Sequence, residues 1–273
     1  MLTQRSERVR AARKLTRRQS RAKTGRFLAE GPQAVREALA ESSGDRPALV
    51  VELFVSPASA IRHADIVDTA VAAGVPVHHA DETALASLSE TVTPQGLVAV
   101  CEQVAVPLDT ALGAAPRLVA ILAEARDPGN AGTVIRCADA AGADAVVLSK
   151  GSVDPHGGKC VRASAGSLFH LPICNDSELE AAISAVHDRG LTVLAADGTG
   201  PVDLDDVEKT GLLARPVAWL FGNEARGLPA ATRALADEVV RVPIYGRAES
   251  LNLATAAAVC LYASARVHRR PVR

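Results

Sequence analysis

The feature that most limits what this chain can fold into is a series of short, continuously apolar segments separated by helical ones. In the second half, Leu118–Leu122, Ala145–Leu148, Leu191–Ala195, Val217–Phe221 and Val239–Val242 read as strands. Helical patterns fill the intervals at Thr133–Ala141, Ser177–Arg189 and Pro229–Ala236, and a last helix runs from about Leu253 to Arg266. Apolar strands alternating with helices predict a parallel sheet covered by helices. The first half repeats the pattern on a smaller scale. Phe27–Gly31 reads as a strand and turn, Pro32–Glu41 as a helix with Val35 and Leu39 on one face, and Val50–Val55 as a buried strand. A helix from the Ser56 cap to Arg62, another over Asp65–Ala73, a strand at Val75–His78, a helix capped by Asp81 and a strand at Gly96–Glu102 complete a small α/β/α domain. Residues 104–116, with Pro107, Gly113 and Pro116, read as a linker. A length of 273 residues suits two domains.

The formal net charge of −1 conceals an asymmetry. Residues 1–26 carry ten Lys and Arg side chains against Glu7 alone, a net of +9, which leaves −10 on the other 247. A basic arm on an acidic body predicts a polyanionic partner, with a solvated charged tail as the plain alternative. Arg10, Arg13, Arg17, Arg18, Arg21 and Arg26 are the candidates for phosphate contacts. Only seven residues are Phe, Trp or Tyr, too few for a surface that stacks rows of bases. The basic start lacks the apolar stretch of a secretory signal, and no run of about 18 apolar residues exists to span a membrane, so a cytoplasmic protein is expected. Cys101, Cys137, Cys160, Cys174 and Cys260 are odd in number and widely spaced, which predicts reduced thiols and no metal site.

Ligands of open parallel sheets bind at the loops leaving the carboxyl ends of strands. Three such loops are rich in Gly and polar groups. The first reads Asp127-Pro128-Gly129-Asn130-Ala131-Gly132-Thr133-Val134-Ile135-Arg136, with Asn130 a candidate helix cap and Arg136 a lone cation on an otherwise apolar stretch. The second, Gly222-Asn223-Glu224-Ala225-Arg226-Gly227, sets a carboxylate between glycines directly after a strand, where it serves a ligand or a simple solvated turn equally well. The third ends Ser250-Leu251-Asn252, two capping residue types ahead of an apolar helix. No glycine-rich dinucleotide fingerprint, GxxxxGK[ST] loop or Gly-x-Ser-x-Gly elbow is present; Gly198-Thr199-Gly200 follows a strand but lacks the third glycine. Nicotinamide, nucleoside-triphosphate and serine-hydrolase chemistry are therefore disfavoured.

In this order the three loops resemble the signature motifs of the SpoU/TrmH family of RNA 2′-O-ribose methyltransferases, within the SPOUT superfamily. The first is Asn130-x-Gly132-x-x-x-Arg136, the second Gly222-x-Glu224-x-x-Gly227, and the third Pro243-Ile244 followed by Ser250-Leu251-Asn252. Arg162-Ala163-Ser164-Ala165-Gly166 is similar to an intervening family segment, and residues 25–31 carry a weaker likeness to the ribosomal-protein-like substrate-binding domain of rRNA-modifying members.

The resemblance implies a basic arm (1–26), an RNA substrate-binding domain (27–103), a linker (104–116) and a methyltransferase domain (117–273) whose C-terminal segment threads a trefoil knot. It implies S-adenosylmethionine held by Gly222, Val242, Ile244 and Leu251, without a metal, and a homodimer to which the final helix contributes. Catalysis would fall to Arg136, with Asn130, Glu224, Ser250 and Asn252 positioning it and the target nucleotide. The expected substrate is rRNA, 23S above all. A tRNA target, a base nitrogen as methyl acceptor, and a non-catalytic RNA-binding or ribosome-assembly role are the alternatives.

Overall fold

The computed structural model describes residues 1–41 and 49–269; the last four residues of the expected 117–273 domain lie outside it. Two compact units interleave along the chain. One comprises residues 1–104 with 154–170, the other residues 105–153 with 171–273.

The first unit is built on a four-stranded sheet of β1 (Arg26–Glu30), β2 (Val50–Val55), β3 (Val77–His79) and β4 (Leu97–Glu102), in the order β1-β4-β2-β3. β4 runs antiparallel to both β1 and β2, and β2 is parallel to β3. The Ser56 and Asp81 hydroxyl and carboxylate cap the helices Pro57–Arg62 and Glu82–Leu88, as their residue types predict. The basic arm is no loose tail. It forms helices Glu7–Arg13 and Arg18–Thr24 joined by a 3₁₀ turn, Lys14–Thr16. Val9, Ala12 and Leu15 are buried in a core cluster with Leu85, Leu88 and Val98. Leu2 extends the sheet beside Ala80 through backbone hydrogen bonds to His79 and Asp81. The arm thus spends its apolar face on the sheet and shows its cations, Arg21 excepted, to water.

Residues 154–170 belong to this unit because of three anchors. Phe169 stacks on Phe27 at 6.0 Å, Arg162 pairs with the buried Glu30 at 2.8 Å, and Asp154 pairs with Arg21 at 2.7 Å.

The second unit holds seven parallel strands: β5 (Leu118–Leu122), β6 (Ala145–Ser149), β7 (Ile173–Ser177), β8 (Thr192–Ala196), β9 (Val202–Asp203), β10 (Val217–Phe221) and β11 (Glu238–Arg241). Their order is β7-β6-β5-β10-β8-β11-β9, so β10 is inserted between strands that precede it in sequence. β5, β6 and β10 are buried at every position, which is why they read as unbroken apolar runs. The stretch 104–116 is more than a connector: it carries helix Leu108–Leu112, whose Ala111 and Leu112 enter the core. The long helix Leu253–His268 is tied to β10 by the buried Trp219, whose Nε1–H donates to Ser264 Oγ at 2.9 Å.

Candidate active site

The helix after β5 begins at Pro128, five residues ahead of the Thr133 that the apolar pattern suggests. Asp127 is its cap, not Asn130: Asp127 Oδ1 accepts the Asn130 N–H at 2.8 Å, and Pro128 occupies the first turn, where a missing N–H costs nothing. Freed from capping, the Asn130 side chain reaches sideways. Its Nδ2 donates to Glu224 Oε1 at 3.3 Å, and its Oδ1 accepts from Asn252 Nδ2 at 3.0 Å. Asn252 is the cap of the final helix, its Oδ1 accepting from Ala254 and Thr255 N–H at 2.9 and 3.4 Å. Ser250, the other capping candidate, caps nothing and lies exposed.

Glu224 completes the chain of contacts by accepting from the backbone N–H groups of Arg126 and Asp127, both at 3.1 Å. Burial opposes its ionisation. Hydrogen bonds from Arg126, its own backbone, Asp127 and Asn130 prevail and hold the carboxyl below the usual glutamate range. Residues from all three motif loops therefore join in one network around an ionised carboxylate.

The loop that presents Glu224 folds back on itself. Asn223 and Gly227 exchange backbone hydrogen bonds of 3.1 and 2.8 Å, and Asn223 Oδ1 accepts from the N–H of Ala225 and Arg226. A Cβ on Gly222 would stand 2.5 Å from the Gly227 carbonyl carbon, so only glycine permits this approach.

Beside the network lies a cavity of about 340 Å³ at the carboxyl ends of β8, β10 and β11. Gly222, Val242, Ile244 and Leu251 all line it, as do Glu224 and Ser250. Asn130, Asn252 and Arg136 do not. Asn130 and Asn252 stand behind Glu224. Arg136 is six residues further along its helix, about 9 Å in rise and about 240° around, so it shares neither face nor depth with Asn130. It is exposed and has no side-chain partner among the described residues.

A fourth loop, outside the three motifs, also lines the cavity: Asp197-Gly198 after β8. Gly198-Thr199-Gly200 was its visible trace: a Cβ on Gly200 would meet the Val239 carbonyl oxygen at 2.6 Å. Asp197 is held by Thr199 N–H, Thr199 Oγ1 and Arg233 Nη1 at 2.8, 2.6 and 3.1 Å. Burial raises its pKa, but these bonds outweigh it and keep the carboxyl below its ordinary range.

The basic candidates divide. Arg10, Arg13, Arg17 and Arg18 are exposed and have no side-chain partner among the described residues. Arg26 is engaged with Glu102 at 2.9 Å. Arg21 is not available to phosphate: its side chain is 7% exposed, chelates Asp154, and donates through Nη1 to the carbonyls of Leu15 and Thr16, both at 2.9 Å. The cysteines are free, and burial pushes the Cys260 thiol up to about 12. No group of three potential metal ligands occurs among the described residues, and no helix there is long and apolar enough to cross a membrane.

A parallel α/β unit with a glycine-lined cavity at its strand ends and an Asn–Glu–Asn network at the rim defines the class. The SpoU rRNA Methylase family profile matches residues 117–262, and that of the MRM3-like substrate binding domain matches residues 6–99. The chain is 34% identical to the 23S rRNA (guanosine(2553)-2′-O)-methyltransferase RlmP of Bacillus subtilis, over 94% of its own length and 95% of the relative's. It is similar to the AdoMet-bound rRNA methyltransferase of Sinorhizobium meliloti (TM-score 0.79, 33% identity, 96% and 95% covered). It is also similar to AviRb of Streptomyces viridochromogenes in complex with AdoMet (TM-score 0.82, 28% identity, 96% and 98% covered).

The chain belongs to the SpoU rRNA methylase family. It is an enzyme of the RNA 2′-O-ribose methyltransferase class and takes its methyl group from S-adenosylmethionine.

Proposed function

We propose that this protein methylates one ribose 2′-hydroxyl of 23S rRNA in the cytoplasm, acting as a homodimer through its C-terminal unit. The observation that carries the reading is the convergence of Asn130, Glu224 and Asn252 on one network at the rim of the cavity lined by Gly222, Val242, Ile244 and Leu251. The cavity suits S-adenosylmethionine: tight glycine backbone on one side, apolar side chains on the other, and the carboxylates of Asp197, Glu224 and Glu249 to complement a cation. When bound, that molecule supplies an electrophilic methyl group on a sulfonium.

The protein's part is alignment, because attack by a neutral hydroxyl on a sulfonium methyl depends on the line of oxygen, carbon and sulfur. Arg136 orients the hydroxyl and stabilises the negative charge that develops on its oxygen as the proton leaves. A guanidinium is a poor base, so the proton passes to another acceptor. Asn130, Glu224 and Asn252 fix the rim against which the target nucleotide rests, and Ser250 faces the cavity. The place of Arg136 outside its own cavity supports a dimer whose active site lies near the subunit interface. So do the exposed Tyr245, Val259 and Tyr262. The insertion of β10 between β5 and β8 supports a knotted C-terminal segment.

The test is transfer of labelled methyl to a 23S rRNA transcript. Arg136→Ala should retain S-adenosylmethionine affinity and lose transfer; full activity would refute its role.

A further inference from the structure

Beside the Glu224 network stands an arrangement the three motifs leave out. Glu124, directly beyond β5, has φ +51°, a left-handed conformation that a residue with a side chain rarely adopts. Both of its backbone polar groups are held, one from the end of β6 and one from the loop after β10. Its N–H donates to Ser149 Oγ at 2.9 Å, and its C=O accepts from Asn223 Nδ2 at 2.8 Å. The result is a carboxylate aimed at two guanidiniums: Arg226 Nη2 at 2.6 Å and Arg126 Nη2 at 3.5 Å.

All three side chains are about half exposed or more, and ion pairs so exposed contribute little to stability. A strained backbone that serves a nearly worthless surface pair calls for another reason. Position supplies one. Arg126 donates its backbone N–H to Glu224, while Arg226 follows Ala225, which with Glu224 lines the cofactor cavity. The chain positions of both arginines therefore adjoin the loop that lines the cavity, and Glu124 draws their two guanidiniums together. Each has five N–H donors and uses only its Nη2 group on protein among the described residues. Glu124 and the ionised Glu224 together balance the two guanidiniums in charge, but the donors that Glu124 leaves free are planar and suited to a tetrahedral oxyanion.

We propose that Arg126 and Arg226 form a clamp for an RNA backbone phosphate next to the methylated ribose, and that Glu124 is the positioning residue that holds them parallel. This rests on the reading of the chain as an RNA 2′-O-methyltransferase and adds a substrate-holding element to it. Phosphate contacts set register without reading sequence, which is what a methyl transfer dependent on alignment requires.

The full-length chain, a 23S rRNA transcript and S-adenosylmethionine provide the test. Arg126→Ala/Arg226→Ala should raise the RNA KM about tenfold and make the plot of log affinity against log salt shallower by roughly 0.8, the effect of one phosphate no longer neutralised. S-adenosylmethionine affinity should stay within twofold. Arg126→Lys/Arg226→Lys should restore the salt slope but not the KM, because charge returns without the planar fork. Glu124→Gln decides the positioning role, since plain electrostatics predicts tighter RNA binding once a negative charge is removed. The clamp predicts the opposite, a KM raised several-fold. An unchanged salt slope in the double alanine variant, or tighter binding by Glu124→Gln, would overturn the proposal. If the wild-type chain transfers no methyl to 23S rRNA, the functional reading fails, and the salt slopes, which need only RNA binding, still decide the clamp.

Discussion

Arg21 provides the sharpest test of how this protein divides its basic charge. The sequence places it among the phosphate-facing cations, whereas the structure makes it a buried staple between the arm and Asp154, with side chains 7% and 11% exposed. Its guanidinium makes contacts of 2.7 and 2.8 Å to Asp154 and two of 2.9 Å to backbone carbonyls. Asp154 is further held by the N–H of His156 at 2.9 Å and faces the His156 ring, whose Nε2 accepts from the Val104 N–H. Arg21→Ala leaves a buried carboxylate without its counter-ion, which costs about 3–5 kcal/mol. At about 2–4 °C per kcal/mol for a chain of this size, Tm should fall by roughly 10 °C. Removing both charges in Arg21→Met/Asp154→Leu should recover most of this, giving a coupling energy of about 2 kcal/mol or more in a double-mutant cycle. The pH dependence follows from Asp154. Burial opposes its ionisation, but hydrogen bonds from His156 and the charge and hydrogen bonds of Arg21 outweigh it, so its pKa is lowered from the model-compound 3.8. The stabilisation is therefore complete above that value and is lost only as pH falls below it, through the lower folded pKa. The stability gap between wild type and Arg21→Ala, measured by urea denaturation, should be constant from pH 8 to 5 and close only in stronger acid. A cost below about 1 kcal/mol, together with a loss of RNA salt dependence matching that of an exposed arm arginine, would refute the staple.

The exposed arginines should behave in the contrary way. Replacing Arg10, Arg13, Arg17 and Arg18 by Gln should leave Tm unchanged and make the salt slope of RNA binding shallower by about 3, read by filter binding; deleting the arm would confound this, since Val9, Ala12 and Leu15 are core. Asn252→Ser keeps a helix cap but cannot reach Asn130, so it should preserve stability within about 0.5 kcal/mol while methyl transfer drops at least about tenfold. Asn252→Ala should cost a further 1 kcal/mol or so by thermal denaturation. Ser264→Ala strands the buried Trp219 N–H and should destabilise by about 1–3 kcal/mol, followed by the fluorescence of this single tryptophan in urea.

What the sequence made legible follows from how local each signal is. β5 and β10 are read to the residue because every position is buried and apolar, whereas β7, with Asn175, Asp176 and Ser177 at its exposed end, carries no such run and escaped notice. The sequence pattern starts the helix after β5 too late because Asn130 is as good a capping type as Asp127, the residue that caps it, and a capping role hides why Asn130 matters. Its partners lie 94 and 122 residues away, so no spacing rule could pair them before the sheet order was known. The basic arm shows the same limit in charge. Val9, Ala12 and Leu15 mark a buried face beneath the cations, but nothing in a count of +9 separates the arginine that holds Asp154 from the four without a side-chain partner among the described residues. Charge available to RNA is what the fold leaves unpaired. By that measure the arm offers Arg10, Arg13, Arg17 and Arg18, while Arg126 and Arg226, which a charge count assigns to the acidic body, offer only the donors that Glu124 leaves free.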